Sequence, residues 1–190
     1  MSAIAVLAAD TPVHQHRSRL LEGMAHAVAR KGYADTTIAD IVGEAGVSRR
    51  TFYEHFATKA DCLVALYAAA SRNALKVLRQ AIVPGRGWEE QLEHAMAAYL
   101  GCMAADPVLM RTLFIEILHL GPAGLAARRG VNQEIADYMR GFVPQVPPEL
   151  AMAVVGGIHE LVLQAIEDGK VEELPQITEA AVRLVKAVAR

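Results

Sequence analysis

Thr37-Ile-Ala-Asp40-Ile41-Val-Gly-Glu-Ala45-Gly46-Val47-Ser48-Arg49-Arg50-Thr51-Phe52-Tyr53-Glu54-His55-Phe56-Ala-Thr58-Lys59 is the stretch that decides the fold. Its spacing gives a helix, a sharp turn, a second short helix and the start of a third. Thr37 with Asp40 three residues later makes a capping-box-like pair at the first helix start. Gly46 supplies a turn between steeply crossing helices, and Ser48 is positioned to cap the second helix. Phe52 and Phe56 are four apart, so they share one face and can pack inward with Val47 and Ile41. Arg49, Arg50, Tyr53 and Glu54 are left for solvent or a ligand. Thr58 and Asp61 repeat the cap-and-acid signal ahead of a long third helix.

A short helix with a free N-terminus on a rigid partner can enter the DNA major groove tip first. The residues Gly32-Tyr33, Thr36-Thr37, Ile41, Ala45-Gly46-Val47-Ser48, Thr51-Phe52-Tyr53, His55-Phe56 and Lys59 carry a clear resemblance. Over roughly residues 14–66 the chain resembles the TetR family of transcriptional regulators. The rest of the chain resembles that family only in length and helical character. The resemblance implies an all-α fold of about nine helices, with a helix-turn-helix DNA-binding head and a helical ligand-binding and dimerisation core. The expected division is a loose tail over 1–10, the head over 11–60 and the core over 61–190. The remaining helices are expected near 58–82, 88–105, 106–120, 123–142, 148–167 and from 175 onward.

Arg49 and Arg50 are the best candidates for base contacts, because a guanidinium can pair with both major-groove acceptors of guanine. Thr51 is a third, through a base edge or a thymine methyl. By analogy with the family motif, Thr37, Ser48, Tyr53, His55 and Lys59 are expected at phosphates, where they set register rather than sequence; His55 has the alternative of packing beside Phe56. The first 66 residues carry seven Lys/Arg and seven Asp/Glu, a weak balance for a DNA-binding head. The argument for DNA therefore rests on local placement of Arg49, Arg50 and Lys59 near helix N-termini and on dimerisation.

An effector pocket is expected among Met96, Tyr99, Met103, Phe114, Ile117, His119 and His159: apolar walls with a few polar groups suit a small, largely apolar ligand. Each of these residues taken singly has an equally plain role as core. The eighth and ninth helices are apolar over more than one face, which requires burial on two sides. A homodimer interface is expected there at Val154, Ile158, Leu161, Ala165, Ala181, Leu184, Val185 and Val188, with Gly156-Gly157 allowing close approach. The two cysteines, Cys62 and Cys102, fit no metal or redox spacing. No metal or cofactor is expected, and a reduced cytoplasm is the expected location. No apolar run approaches the ~18 residues of a membrane span. His14-x-His16 is expected as a solvated turn.

The expected function is a ligand-responsive repressor that binds a palindromic double-stranded DNA operator as a dimer and is released by its effector. The alternative of the same fold is an activator or a co-repressed regulator. A remote alternative is a di-iron helical-bundle enzyme, suggested by Glu116-x-x-His119. No second Glu-x-x-His exists to complete such a site, and an enzyme is not expected.

Overall fold

The computed structural model describes residues 12–83, 85 and 87–189. The expected tail over 1–10 lies outside these residues. The α-helices are α1 (Pro12–Asp35), α2 (Ile38–Ala45), α3 (Arg49–His55), α4 (Lys59–Gln80), α5 (Trp88–Ala104), α6 (Pro107–Phe114), α7 (Pro122–Arg140), α8 (Pro148–Glu167) and α9 (Thr178–Val188). Two 3-10 segments, Glu116–Leu120 and Val171–Ile177, join them. No strand occurs among the described residues. The expected sixth helix divides into α6 and the first 3-10 segment. Gly32 breaks α1 from within, with φ 75° and ψ 162°.

The chain forms two compact units, Met1–Ser71 with Val108–Ala127, and Arg72–Pro107 with Arg128–Arg190. The division therefore falls at Ser71 rather than at the expected residue 60, and a later segment joins the head. The long helices α4 and α7 each begin in the first unit and end in the second.

In the first unit α1 packs against α2, and the Glu116–Leu120 segment packs on α1. Leu20, Leu21, Met24, Ile41, Phe52, Leu63 and Leu66 are wholly buried there. In the second unit α5 packs on α9 and on the Val171–Ile177 segment, which also meets α8. α8 is the one described helix long and apolar enough to cross a membrane by length and composition. Its apolar arc is explained by the core, since Ala151, Val154, Val155, Ile158, Val162 and Ile166 are buried. Leu125 on α7 is 49% exposed.

The α1–α2 contact is close because position 23 lacks a side chain. A Cβ there would stand 2.6 Å from the Ile41 carbonyl oxygen and 3.0 Å from the Ala45 nitrogen, both backbone atoms that cannot step aside. Gly23→Ala is expected to destabilise the protein by about 1–3 kcal/mol, the usual cost of overpacking. The urea unfolding midpoint reads this directly; an unchanged midpoint would contradict so tight a contact.

Candidate nucleic-acid interface and small-molecule cavity

Helices as short as α2 and α3 have little stability alone, so their ends must be secured. At α2 the capping box is complete. Thr37 Oγ1 accepts from the Asp40 amide at 3.2 Å, and Asp40 Oδ2 accepts from the Thr37 amide at 2.8 Å. Lys31 adds an ion pair to Asp40 at 2.7 Å. That ammonium, with the Thr37 donors, holds the Asp40 carboxyl well below its usual range. Gly46 closes α2 in the left-handed region, at φ 59°, where a side chain would be strained. Ser48 caps α3, accepting from the Thr51 amide at 3.0 Å. Phe52 is wholly buried and Phe56 nearly so, their ring centroids 5.8 Å apart.

This anchoring leaves a defined outer surface on α3. Arg49 and Arg50 are exposed, and Tyr53 is 59% exposed. Arg50 Nε donates to Glu54 at 3.1 Å across one helical turn. The Thr51 hydroxyl is 3.0 Å from that of Ser48, so both hydroxyls serve the α3 cap. His55 is half-buried, its ring centroid 6.3 Å from that of Phe56.

Lys59 is the residue whose role changes most from the expectation. Its Nζ donates to the carbonyls of Tyr33 and Thr36, each at 2.7 Å, with Ala34 at 3.4 Å, and lies 4.2 Å from the Tyr33 ring centroid. An ammonium has three donors, and here they face the C-terminal carbonyls of α1, where positive charge is favoured. The same junction holds Glu116. Its Oε2 accepts from the Tyr33 amide at 2.8 Å and is 3.2 Å from His119 Nδ1. Glu116 is almost fully buried. Thus the Glu116/His119 pair, which the sequence offered as a fragment of a metal site, braces the backbone at the Gly32 break. An acid inside the apolar run Leu113–Leu120 was the only signal for it.

The even charge count of the head also resolves by position. Arg30 pairs with Glu44, and Lys31 with Asp40, which occupies both acids of α2 on α1 cations. Arg19 donates to the Gly46 carbonyl at 2.8 Å.

The second unit contains a cavity with walls from Leu78, Leu92, Met96, Tyr138, Val155 and Ile158, among others, and with Trp88 and Phe142 also contributing. Its volume is about 120 Å³. The lining is almost entirely apolar; Gln91, the Tyr138 hydroxyl and the Trp88 indole nitrogen are the polar groups that its residues bring. The Arg79 guanidinium lies 5.3 Å from the Tyr138 ring centroid.

Of the seven residues expected to line a pocket, Met96 alone lines this cavity. Met103 is buried on α5. Phe114, Ile117 and His119 belong to the first unit, with Ile117 wholly buried and His119 on Glu116. Tyr99 and His159 pair with each other: the hydroxyl is 3.0 Å from Nε2, while Nδ1 is 3.0 Å from Asn132 Oδ1. A carbonyl on Nδ1 makes that nitrogen the donor, so Nε2 accepts from Tyr99 and the imidazole is neutral. Burial, then the Arg128 charge, push the His159 pKa down to about 4.

The residues expected at a dimer face divide in the same way. Val154, Ile158 and Val185 line the cavity, and Ala181 is buried within its own subunit. Val188 packs on the core of Ala136, Val143, Val146, Ala151 and Val155. These five pack largely within their own chain; a helix apolar on several sides can be satisfied by its own fold. Leu161, Ala165 and Leu184 remain half-buried. Gly157 is also used internally, since a Cβ there would meet Leu184 Cδ2 at 3.3 Å, whereas Gly156 faces open space.

The geometry is that of a helix-turn-helix: a capped short helix with an exposed basic tip, on an otherwise helical chain. Residues 20–66 match the model for bacterial regulatory proteins of the tetR family. A fatty acid metabolism regulator protein of Bacillus subtilis (strain 168) is 22% identical over 121 residues, covering 64% of this chain and 61% of that protein. The uncharacterized HTH-type transcriptional regulator YerO of the same organism is 29% identical over 89 residues, covering 45% of this chain and 30% of that protein. The aligned part thus spans between about a third and three fifths of these relatives. Among solved structures, the fatty acid degradation regulator FadR from Bacillus halodurans matches with TM-score 0.80 at 16% identity, covering 94% of this chain and 96% of that one. FadR from Bacillus subtilis in complex with stearoyl-CoA matches with TM-score 0.77 at 16% identity, covering 88% of this chain and 96% of that one. The fold is that of TetR-family regulators, and the relatives are regulators rather than enzymes.

The buried His159 makes stability depend on pH with a definite sign. Its pKa is depressed on folding, so its contribution is complete above the ordinary histidine value near 6.5 and is lost as pH falls toward about 4. Across that window the unfolded chain binds one extra proton, a slope of about 1.4 kcal/mol per pH unit. Urea midpoints of wild type and His159→Gln are expected to converge as the solution is acidified through this range. Parallel profiles would contradict a neutral, buried imidazole.

Proposed function

We propose that the protein is a dimeric transcriptional repressor that grips a palindromic operator through α3 and lets go when an apolar small molecule fills the second unit. The observation that carries this reading is the pairing of a fully capped α3, basic at its exposed tip, with an apolar cavity elsewhere in the chain. Arg49 and Arg50 read base edges in the major groove, while Tyr53, His55 and the α2 and α3 N-termini around Thr37 and Ser48 engage phosphates. Thr51 contributes through its methyl group, because its hydroxyl serves Ser48. Lys59 adds positive potential near the duplex while its donors hold α1.

Two copies join along α8 and α9 through Leu161, Ala165 and Leu184, which line or adjoin the surface left uncovered in one chain. The paired heads then need a separation of about 34–36 Å to meet successive major grooves. The effector is a molecule with a long hydrocarbon portion. The apolar cavity walls support this reading, and the structurally similar FadR solved with stearoyl-CoA suggests the ligand class. Arg79, stacked on Tyr138, supplies a cation for an anionic end group. Effector binding releases DNA to the extent that it favours the conformation with the wrong head spacing.

Selection of bound duplexes from a random pool is expected to return a palindrome. Arg49→Ala and Arg50→Ala should relax the preference at one symmetric position each, at about 1–3 kcal/mol per lost bidentate contact. Unchanged footprints in both variants would remove the base-reading role. Trp88 is the single tryptophan and lines the cavity, so it reports on the ligand. A saturable change in its emission is expected with long-chain acyl-CoA, and Val155→Phe should abolish it by filling the cavity. Equal responses in the two proteins would place the effector elsewhere.

A further inference from the structure

We propose that Arg17 and His16 on α1, together with His55 at the end of α3, form a second phosphate-binding site that extends the duplex-contacting surface beyond the recognition helix. This rests on the DNA-binding reading above. The side chains come from two segments far apart in sequence, and Arg17 and His55 meet at one ring. The Arg17 guanidinium lies 5.5 Å from the Phe56 ring centroid, and the His55 ring lies 6.3 Å from the same centroid. Phe56 is itself almost fully buried, so this anchor does not move. A guanidinium held on an aromatic face loses little freedom when it binds an oxyanion.

The charge environment is what calls for an anion. His16 and Arg17 both act on His55 from α1, and Glu54 opposes them from its own helix. Burial is the largest influence and, with the two α1 groups, pushes the His55 pKa down. The one acid in range is already hydrogen-bonded to Arg50. Among the described residues no carboxylate lies within ion-pair distance of Arg17 or His16. Further along the same helix the design is the opposite: Arg30 and Lys31 each have an α2 carboxylate. So α1 neutralises its cations near α2 and leaves them uncompensated beside α3. Clustered like charges are unfavourable in the free protein; a phosphate removes that cost and gains two or three charge-assisted bonds. The His-x-His pair that looked like a solvated turn is thereby divided, with His14 exposed and His16 half-buried and within electrostatic reach of His55.

Two consequences separate this site from a packing role for Arg17. Backbone phosphates carry no sequence, so the contribution is equal on every duplex. A histidine whose pKa is low in the free head and restored by a phosphate takes up a proton on binding, so affinity rises as pH falls through the histidine range near 6.5.

The test is fluorescence anisotropy of the full-length protein on a mixed-sequence duplex and on a selected operator, over a range of salt and pH. Arg17→Ala is expected to weaken both complexes by the same factor and to lower the salt slope by about one unit. Arg17→Lys should restore most of the slope, and His55→Gln should flatten the pH dependence. Thermal melting of the three variants controls for folding. A wild-type slope in a folded Arg17→Ala protein that still binds DNA would overturn the second phosphate site and leave the recognition helix standing. Failure of the wild type to bind any duplex at low salt would overturn the DNA-binding reading itself, and this site with it.

Discussion

Both backbone polar atoms of Tyr33 are held by charged side chains from distant parts of the chain, and the head depends on that. Gly32 takes α1 out of helical geometry and exposes carbonyls and an amide that no helix satisfies. Lys59 collects the carbonyls and Glu116 takes the amide. Removing Glu116 would strand the Tyr33 amide, and removing Lys59 would leave the Tyr33 carbonyl with only the Thr36 amide; losing bonds to groups partly withdrawn from water is costlier than losing an ordinary surface contact. The chain can therefore turn sharply into α2 at Thr37. It can also fix the start of α4 to the end of α1, which leaves α3 little choice of position. Phe52 and Phe56 complete the restraint from below. A seven-residue helix with no stability of its own becomes a rigid probe because its caps, its underside and its neighbours are all fixed by other elements.

The charge distribution follows from the same frame. An even count of acids and bases looks unpromising for a partner of nucleic acid, but pairs along α1 and α2 consume Glu44, Asp40, Arg30 and Lys31 on one side. Arg49 stays free of carboxylates, Arg17 sits on Phe56, and Arg50 shares Glu54 across an exposed turn. Electrostatic complementarity to a duplex is set by where uncompensated charge lies, and net charge is a poor guide to it.

Local signals in the sequence carried the head well. Caps, the Gly46 turn and the spacing of Phe52 and Phe56 are decided within a few residues, and the structure realises each one. Tertiary assignments fared differently for a physical reason. Periodicity shows that Val154, Ile158 and Val185 are apolar, yet it cannot say whether their second buried side is another subunit or a cavity of the same one. Likewise Tyr99 and His159 look like ligand-orienting groups until the fold brings Asn132 to the imidazole and satisfies both nitrogens. Lys59 shows the limit at a single residue. A lysine after a recognition helix suggests phosphate, but its position also lies over the open end of α1, and only the three-dimensional path of residues 32–37 reveals that.

The second unit encloses a cavity with an almost entirely apolar lining and few polar groups. The first unit is the stiffer design: α2 and α3 are fixed by caps, by Phe52 and Phe56, and by the Lys59 and Glu116 contacts to the end of α1. The most direct measurement of that stiffness is native-state hydrogen exchange at the Phe52 and Phe56 amides, compared with Met24 in α1, for wild type and Lys59→Met. The account predicts that all three amides open with one shared free energy and that the substitution lowers them together. Exchange at Phe52 and Phe56 that is already fast in the wild type, or that ignores the loss of Lys59, would contradict it.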